Sequence, residues 1–504
     1  MAEKDDFFNS IETGYKTKGD YITMGSAMLN GETLPNAHVK IPLKTLNRHG
    51  LIAGATGTGK TKTLQIVAEN LSDKGIPVLL MDLKGDLSGL AQPGEQNAGI
   101  DERHAKIGFP YQAKKFPIEI LTLSEQEGVR LRATVSEFGP ILLSRILDLT
   151  DTQQGIVAVI FKYCDDNQLP LLDLKDFKKI LQYATNEGKD EFQESYGRVS
   201  TASTGAILRK IIQLEQQGAD LFFGETSFDV NDLTRIDKDG KGIINVIRLT
   251  DIQDRPKLFS TFMMSLLAEV YDTFPEQGDS DRPELVLFID EAHLIFNEAT
   301  DALLDQIESI IKLIRSKGIG VYFVTQNPTD IPNAVLSQLG LKIQHALRAF
   351  TAKDRKAIKL TAENYPLSDY YDTAKVLTSL GIGEALITAL DEKGRPTPLA
   401  ATMLRAPMSR MDILSDQELK ELLAKSQLSS KYNQTVDRES AYEILNKKIE
   451  ISQHEEVQQQ AREEQSKQRR SSTRSSTRMN PVVKVLTSAT FIRGVMGILK
   501  KVMR

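Results

Sequence analysis

Short runs of Val, Ile, Leu and Phe alternate along the chain with stretches whose apolar residues recur at helical spacing. Runs at 49–53, 77–82, 118–123, 242–249, 284–290, 320–325, 342–347 and 384–390 predict strands. Several are apolar at nearly every position, as in strands buried on both faces of a parallel sheet. Helical patterns separate many of them, which predicts an α/β fold with helices covering both faces of a mostly parallel sheet.

The alternation breaks twice. From 124 to 239 the pattern is helical, which predicts an insertion dividing the core into a first part, 1–123, and a second, 240–405. Polar helical patterns at 412–425 and 440–470 predict a C-terminal extension over 406–470. A low-complexity Ser-Ser-Thr-Arg repeat then opens a basic linker within 471–504. Past Pro481, Phe491, Ile492, Val495, Ile498, Leu499 and Val502 share one helical face, opposite Arg493, Lys500 and Arg504. A basic amphipathic helix over 481–504 suits an anionic membrane surface, a partner's groove or the protein's own body.

Composition narrows the class. The 504 residues, 40% apolar and 26% charged, fit a soluble globular chain larger than one compact core. A single cysteine, Cys164, argues against a disulfide framework or a Cys-rich zinc module and fits a reducing compartment. The polar start and the lack of a long apolar run place the expected location in the cytoplasm, with the tail able to reach the inner membrane face. Residues 465–504 hold ten Lys/Arg and no Asp/Glu; against a net charge of −5, the preceding body carries −15. Any DNA contact would therefore use a local stripe or the tail.

The strongest chemical signal is Gly54-Ala55-Thr56-Gly57-Thr58-Gly59-Lys60-Thr61, a full G-x-x-x-x-G-K-[ST] match between a strand pattern and a helix pattern. Glycines let such a loop fold so that its N–H groups face phosphates. Lys60 is expected to reach the β- and γ-phosphates of ATP, with Lys62 beside it, and the Thr61 hydroxyl to ligate Mg²⁺. An apolar run ends in Asp290-Glu291. Asp290 is the candidate Mg²⁺ holder and Glu291 the candidate general base. Gln326 ends a further strand pattern, where ligands gather in parallel sheets. His293 is expected to be structural.

In this order, these elements resemble the HerA/FtsK group of RecA-like ATPases. The supporting strings are Asn47-Arg48-His49, Asp82-Leu83-Lys84-Gly85-Asp86, Asp290-Glu291-Ala292-His293 and Arg315-Ser316-Lys317-Gly318 leading into Val324-Thr325-Gln326. DLKGDLSGLA and GEALITALDEKGRPTP are similar to a bacterial family of HerA-like helicases. The resemblance implies a RecA-like P-loop core, a homo-hexameric ring, ATP hydrolysis between subunits and DNA drawn through the pore. It further implies Arg48 acting in trans, Arg315 in cis and Gln326 as a sensor. The chain departs from the group at 82–86, where HerA usually has Asp-Pro-His-Gly-Glu, and shows no evident N-terminal β-barrel. A membrane- or secretion-associated motor of the same fold, or an ATP-regulated scaffold, remains an alternative.

Overall fold

In the computed structural model, residues 2–472 are described except Asp279, Ala299, Thr300, Thr435 and Asp437. The runs that are apolar throughout become the centre of one sheet. β3 (Gly50–Ala53), β4 (Val78–Asp82), β8 (Leu285–Ile289) and β9 (Ile319–Thr325) are buried at every position. With β5 (Ile118–Thr122), β6 (Val129–Arg130), β7 (Ile244–Arg248) and β10 (Leu341–Gln344) they form a parallel set in the order β10-β3-β9-β8-β4-β7-β5-β6. The chain leaves β3 toward β4 on one side and later passes from β9 to β10 on the other. This reversal makes the carboxyl end of β3 a topological switch point, where parallel sheets bind ligands.

An antiparallel wing extends the sheet beyond β10. β11 (Glu384–Thr388), β12 (Ala400–Leu404), β1 (Tyr21–Leu29) and β2 (Glu32–Pro42) follow in that order, giving twelve strands among the described residues. The pattern along the sequence predicts neither the β1–β2 hairpin nor β12. The residues ahead of the phosphate loop thus extend the central sheet. The predicted 342–347 strand ends at Gln344, and His345-Ala346-Leu347 leave the ladder.

The helix Lys60–Asp73 lays Leu64, Val67, Ala68 and Leu71 against Ile52, Val78, Leu80, Val286 and Val324 in one apolar cluster. Fully burying each of the Val, Leu and Ile side chains among these contributes about 1.5–3 kcal/mol. His49 ties the amino ends of the strands together. Its Nε2 donates to the Ile311 carbonyl at 2.8 Å and its Nδ1 accepts from the Val321 amide at 3.0 Å, which selects the Nε2–H tautomer.

The stretch 124–239 carries helices Val135–Ile146, Asp151–Asp166, Leu174–Thr185, Lys189–Ser195 and Thr201–Glu215. It belongs with the sheet to one compact unit, Met1–Tyr442, which runs past the boundary expected at 405. A second unit begins at Glu443, within the helix Ala441–Ser472. No described helix is long and apolar enough to cross a membrane. The amphipathic segment expected over 481–504 lies outside the described residues.

Candidate nucleotide site

β3 delivers the chain into the phosphate loop. Gly54 adopts φ +152, and a Cβ there would meet the His345 Cβ at 2.5 Å. Gly59, at φ +113, starts the helix that follows. The loop is tied to its neighbours: Ala55 N donates to Ala346 O at 2.9 Å, Thr58 Oγ1 to Ala55 O at 2.7 Å, and Gly383 N to Thr58 O at 3.1 Å. Thr56 and Gly57 are exposed at its crest, and Thr61 is half-buried one residue into the helix. Lys60 folds back over the loop, its ammonium 2.7 Å from Gly54 O and 3.2 Å from Ala55 O. Burial lowers its pKa; the nearby Lys84 charge acts in the same direction, and Glu291 and Asp290 oppose it.

β8 ends two strand places from β3 and presents the acidic pair. Asp290 is buried, which raises its carboxyl pKa to about 6 despite the Lys84 charge. Its Oδ1 accepts from the Glu291 amide at 2.9 Å. Glu291 sits at φ +46, unusual for a residue with a Cβ, while the next amide bonds Val324 O at 3.0 Å. Its Oε1 lies 2.7 Å from Lys84 Nζ and its Oε2 3.3 Å from His293 Nδ1. Burial favours the neutral acid, but the Lys84 hydrogen bond and charge outweigh it, leaving the Glu291 pKa below its ordinary value.

Three neighbours were not assigned to the site from sequence. Lys84 enters because β4 lies beside β8. His293 stands next to Glu291 instead of serving the core alone. His345 is buried under the loop, with its Nε2 2.8 Å from Thr63 Oγ1. Burial first, and the Lys60 charge second, push the His345 pKa down to about 4. No local motif announces the Lys84 and His345 contacts, since each joins residues distant in sequence. His293 lies two residues from Glu291, and its place in the Asp290-Glu291-Ala292-His293 string was the signal available for it.

Gln326 is exposed just past β9, while Thr325 Oγ1 donates to Asp330 Oδ2 at 2.7 Å. Lys62 points to the other side of the loop and donates to the Met411 carbonyl. There a cleft of about 250 Å³ is lined by Gly59, Lys62, Thr63, Arg103 and Gly383. Arg103 donates to Ile382 O, Gly383 O and Leu404 O at 3.1–3.2 Å, fixing one wall.

Arg48 and Arg315 are elsewhere. Both line a cleft of about 500 Å³ with Lys44, Lys312 and Glu392, at the amino ends of β3 and β9. The seven residues of β9, at about 3.3 Å each, put roughly 20 Å between that edge and the phosphate-loop edge. Arg315 therefore stands too far from its own phosphate loop for the expected role in cis.

Among the described residues no three His, Cys, Asp or Glu side chains converge as a metal cage. Mg²⁺ does not require one: it keeps waters and takes phosphate oxygens beside one or two protein ligands. The hard oxygens of Thr61 and the buried Asp290 carboxylate fit that donor set.

A phosphate loop at a switch point and an acidic pair closing a buried strand two places away define a RecA-like P-loop fold. The chain belongs to the family described as Helicase HerA-like C-terminal, whose profile matches residues 27–501. It is 23% identical over 358 residues to the DNA double-strand break repair helicase HerA of Sulfolobus acidocaldarius, covering 70% of this chain and 64% of that protein. It is 25% identical to the DNA import protein CedB of the same organism, over 71% of this chain and 52% of CedB. The chain thus aligns with less than two thirds of the length of these relatives. Among solved structures, the plasmid coupling protein TrwB in complex with ADP and Mg²⁺ superposes with a TM-score of 0.51 at 14% identity, over 81% of this chain and 94% of that one. This likeness shows a shared fold.

Proposed function

We propose that the protein is a Mg²⁺-dependent ATPase that assembles head to tail as a homo-hexameric ring and couples hydrolysis to movement on DNA. The observation that carries the reading is the meeting of phosphate loop and acidic pair on one sheet edge, with Lys60 within the electrostatic reach of Asp290 and Glu291. The phosphates would lie on the loop amides and Lys60, and the nucleoside in the cleft beside Arg103. Thr61 and Asp290 would hold Mg²⁺, which supplies charge neutralisation on the phosphate oxygens. Glu291 would take a proton from water as the water oxygen bonds to Pγ. The bond from Pγ to the bridging oxygen then breaks, and its electron pair leaves on ADP. Gln326, exposed on the same edge, would touch the γ-phosphate.

Similarity to a repair helicase and a DNA import protein supports DNA as the substrate moved. The test is ATP turnover with and without double-stranded DNA, at stated salt because phosphate contacts weaken as salt rises. Stimulation supports translocation. Turnover indifferent to DNA, together with binding of anionic vesicles that is lost on deleting 471–504, supports a membrane-associated motor. Tight ATP binding without turnover supports a scaffold.

A further inference from the structure

Lys84 is presented by a turn that the fold holds unusually firmly. The turn leaves β4 at Asp82, a buried carboxylate satisfied by three consecutive amides. Its Oδ1 accepts from Gly85 N at 2.7 Å and Asp86 N at 3.1 Å, and its Oδ2 from Leu87 N at 3.2 Å. Gly85 takes φ +77, and a Cβ there would press on Thr250 Cγ2 at 3.0 Å. The Gln253 side chain also donates to the Leu83 carbonyl. The backbone is thus fixed while the ammonium is not: the Lys84 side chain is 41% exposed, against 12% for Glu291 and 7% for Asp290. Its Nζ sits 2.7 Å from Glu291 Oε1 and 4.0 Å from Asp290 Oδ2.

Charge counting shows what this cation is for. Asp290 and Glu291 bring two negative charges to the edge where Mg·ATP, itself net negative, would bind, and the nearby Asp86 charge acts on both Asp290 and Lys84. Lys60 supplies one positive charge and its ammonium rests on the loop carbonyls. Lys84 supplies the second, on a flexible stem whose tip can move between neighbouring anions without disturbing the turn. While it sits on Glu291, it holds Oε1 and offsets the carboxylate's charge, leaving a weaker base for water; Oε2 lies 3.3 Å from His293 Nδ1.

The geometry points to Lys84 as a two-position cation: parked on Glu291 when the site is empty, and drawn to the γ-phosphate when a triphosphate binds. This rests on the ATPase reading and deepens it. Lys84 becomes the group that distinguishes ATP from ADP, and Glu291 is released to act on water only when there is a γ-phosphate to attack. Asp82, which touches neither anion, is a positioning residue for this cation.

Direct binding of Mg·ADP and of a Mg-bound non-hydrolysable ATP analogue to the full chain tests the assignment. Four proteins are compared: parent, Lys84→Met, Glu291→Gln and the double variant. Methionine keeps most of the aliphatic stem, and thermal melting checks the fold. Lys84→Met should weaken triphosphate binding tenfold or more and leave ADP binding within twofold. Glu291→Gln should tighten triphosphate binding where Lys84 is present and have no such effect beside Met. A merely structural lysine would not produce that dependence. Equal loss for both nucleotides, no loss for either, or the same response to Glu291→Gln with and without Lys84 overturns the assignment. A parent protein that binds neither nucleotide overturns the ATPase reading itself, and this assignment falls with it.

Discussion

At the scale of single residues, Lys60 and Glu291 should fail differently. The Lys60 ammonium rests on the Gly54 and Ala55 carbonyls of the loop, where a bound phosphate would compete for it, so Lys60→Ala should weaken ATP binding and abolish turnover. Glu291 stands off the loop, so Glu291→Gln should keep or tighten ATP binding and lower turnover by about 10²–10⁴, the range typical of a general base. Nucleotide binding and steady-state hydrolysis on both variants check this, and parental turnover in Glu291→Gln would remove its assignment as base. His49 makes a separate prediction. Burial pushes its pKa down to about 4, against about 6.5 unfolded. The unfolded state then holds the extra proton between those values, so stability is present above pH 6.5 and declines as pH falls toward 4. The loss approaches about 3 kcal/mol for this group. Protonation would also turn the Nδ1 acceptor of the Val321 amide into a donor. Melting temperature against pH should therefore be flatter between 6.5 and 4 in His49→Gln, from a lower starting value; an unchanged slope would assign the acid sensitivity to other groups, such as His345.

At the scale of elements, the helix after the phosphate loop does two tasks, and a buried acid joins them. Glu69 accepts from Met408 N at 2.7 Å and Ser409 N at 2.9 Å, and from the Ser409 hydroxyl, clamping the segment after β12 onto the helix. Burial raises its pKa to about 7. Glu69→Ala should strand these donors, at about 1–3 kcal/mol for a buried unmade bond. Denaturant unfolding should show that loss, and limited proteolysis should cut near 408. What could be read in advance follows from the same physics. β4, β8 and β9 were legible because strands covered on both faces must be apolar throughout. The phosphate loop was legible because its chemistry needs adjacent residues. The β1–β2 hairpin was not: its strand β2, Glu32–Pro42, mixes charged and apolar positions with Asn36 at positive φ, and gives no clean period of two. Lys84 beside Glu291 was not legible either. Their contact depends on β4 and β8 being sheet neighbours, and strand order is a property of the whole fold.

At the scale of the whole molecule, the two clefts lie on opposite edges of one sheet. The phosphate loop, Asp290, Glu291 and Lys84 occupy the carboxyl edge, and Arg48 and Arg315 the amino edge. A lone subunit cannot bring both edges to one nucleotide, whereas a head-to-tail ring can, because each interface joins two different surfaces and the rotation closes. In the proposed hexamer, Arg48 would face the neighbour's γ-phosphate. His49 fixes the backbone beside it, and Arg315 shares its cleft. A guanidinium supplied this way offsets charge developing on the transferred phosphoryl group, worth roughly 10³–10⁵ in rate where such fingers operate. Arg48→Ala should then bind ATP like the parent and hydrolyse it poorly. The mixing experiment separates trans from cis. Subunits with Arg48→Ala and subunits with Lys60→Ala should each turn over ATP poorly or not at all alone, for different reasons. In mixed rings some interfaces pair an intact Arg48 with an intact Lys60, and those interfaces should recover part of the turnover, rising and falling with the mixing ratio. If subunit exchange is demonstrated by mass and no turnover returns, Arg48 does not act across the interface, and the basic cleft on the amino edge serves some other anion.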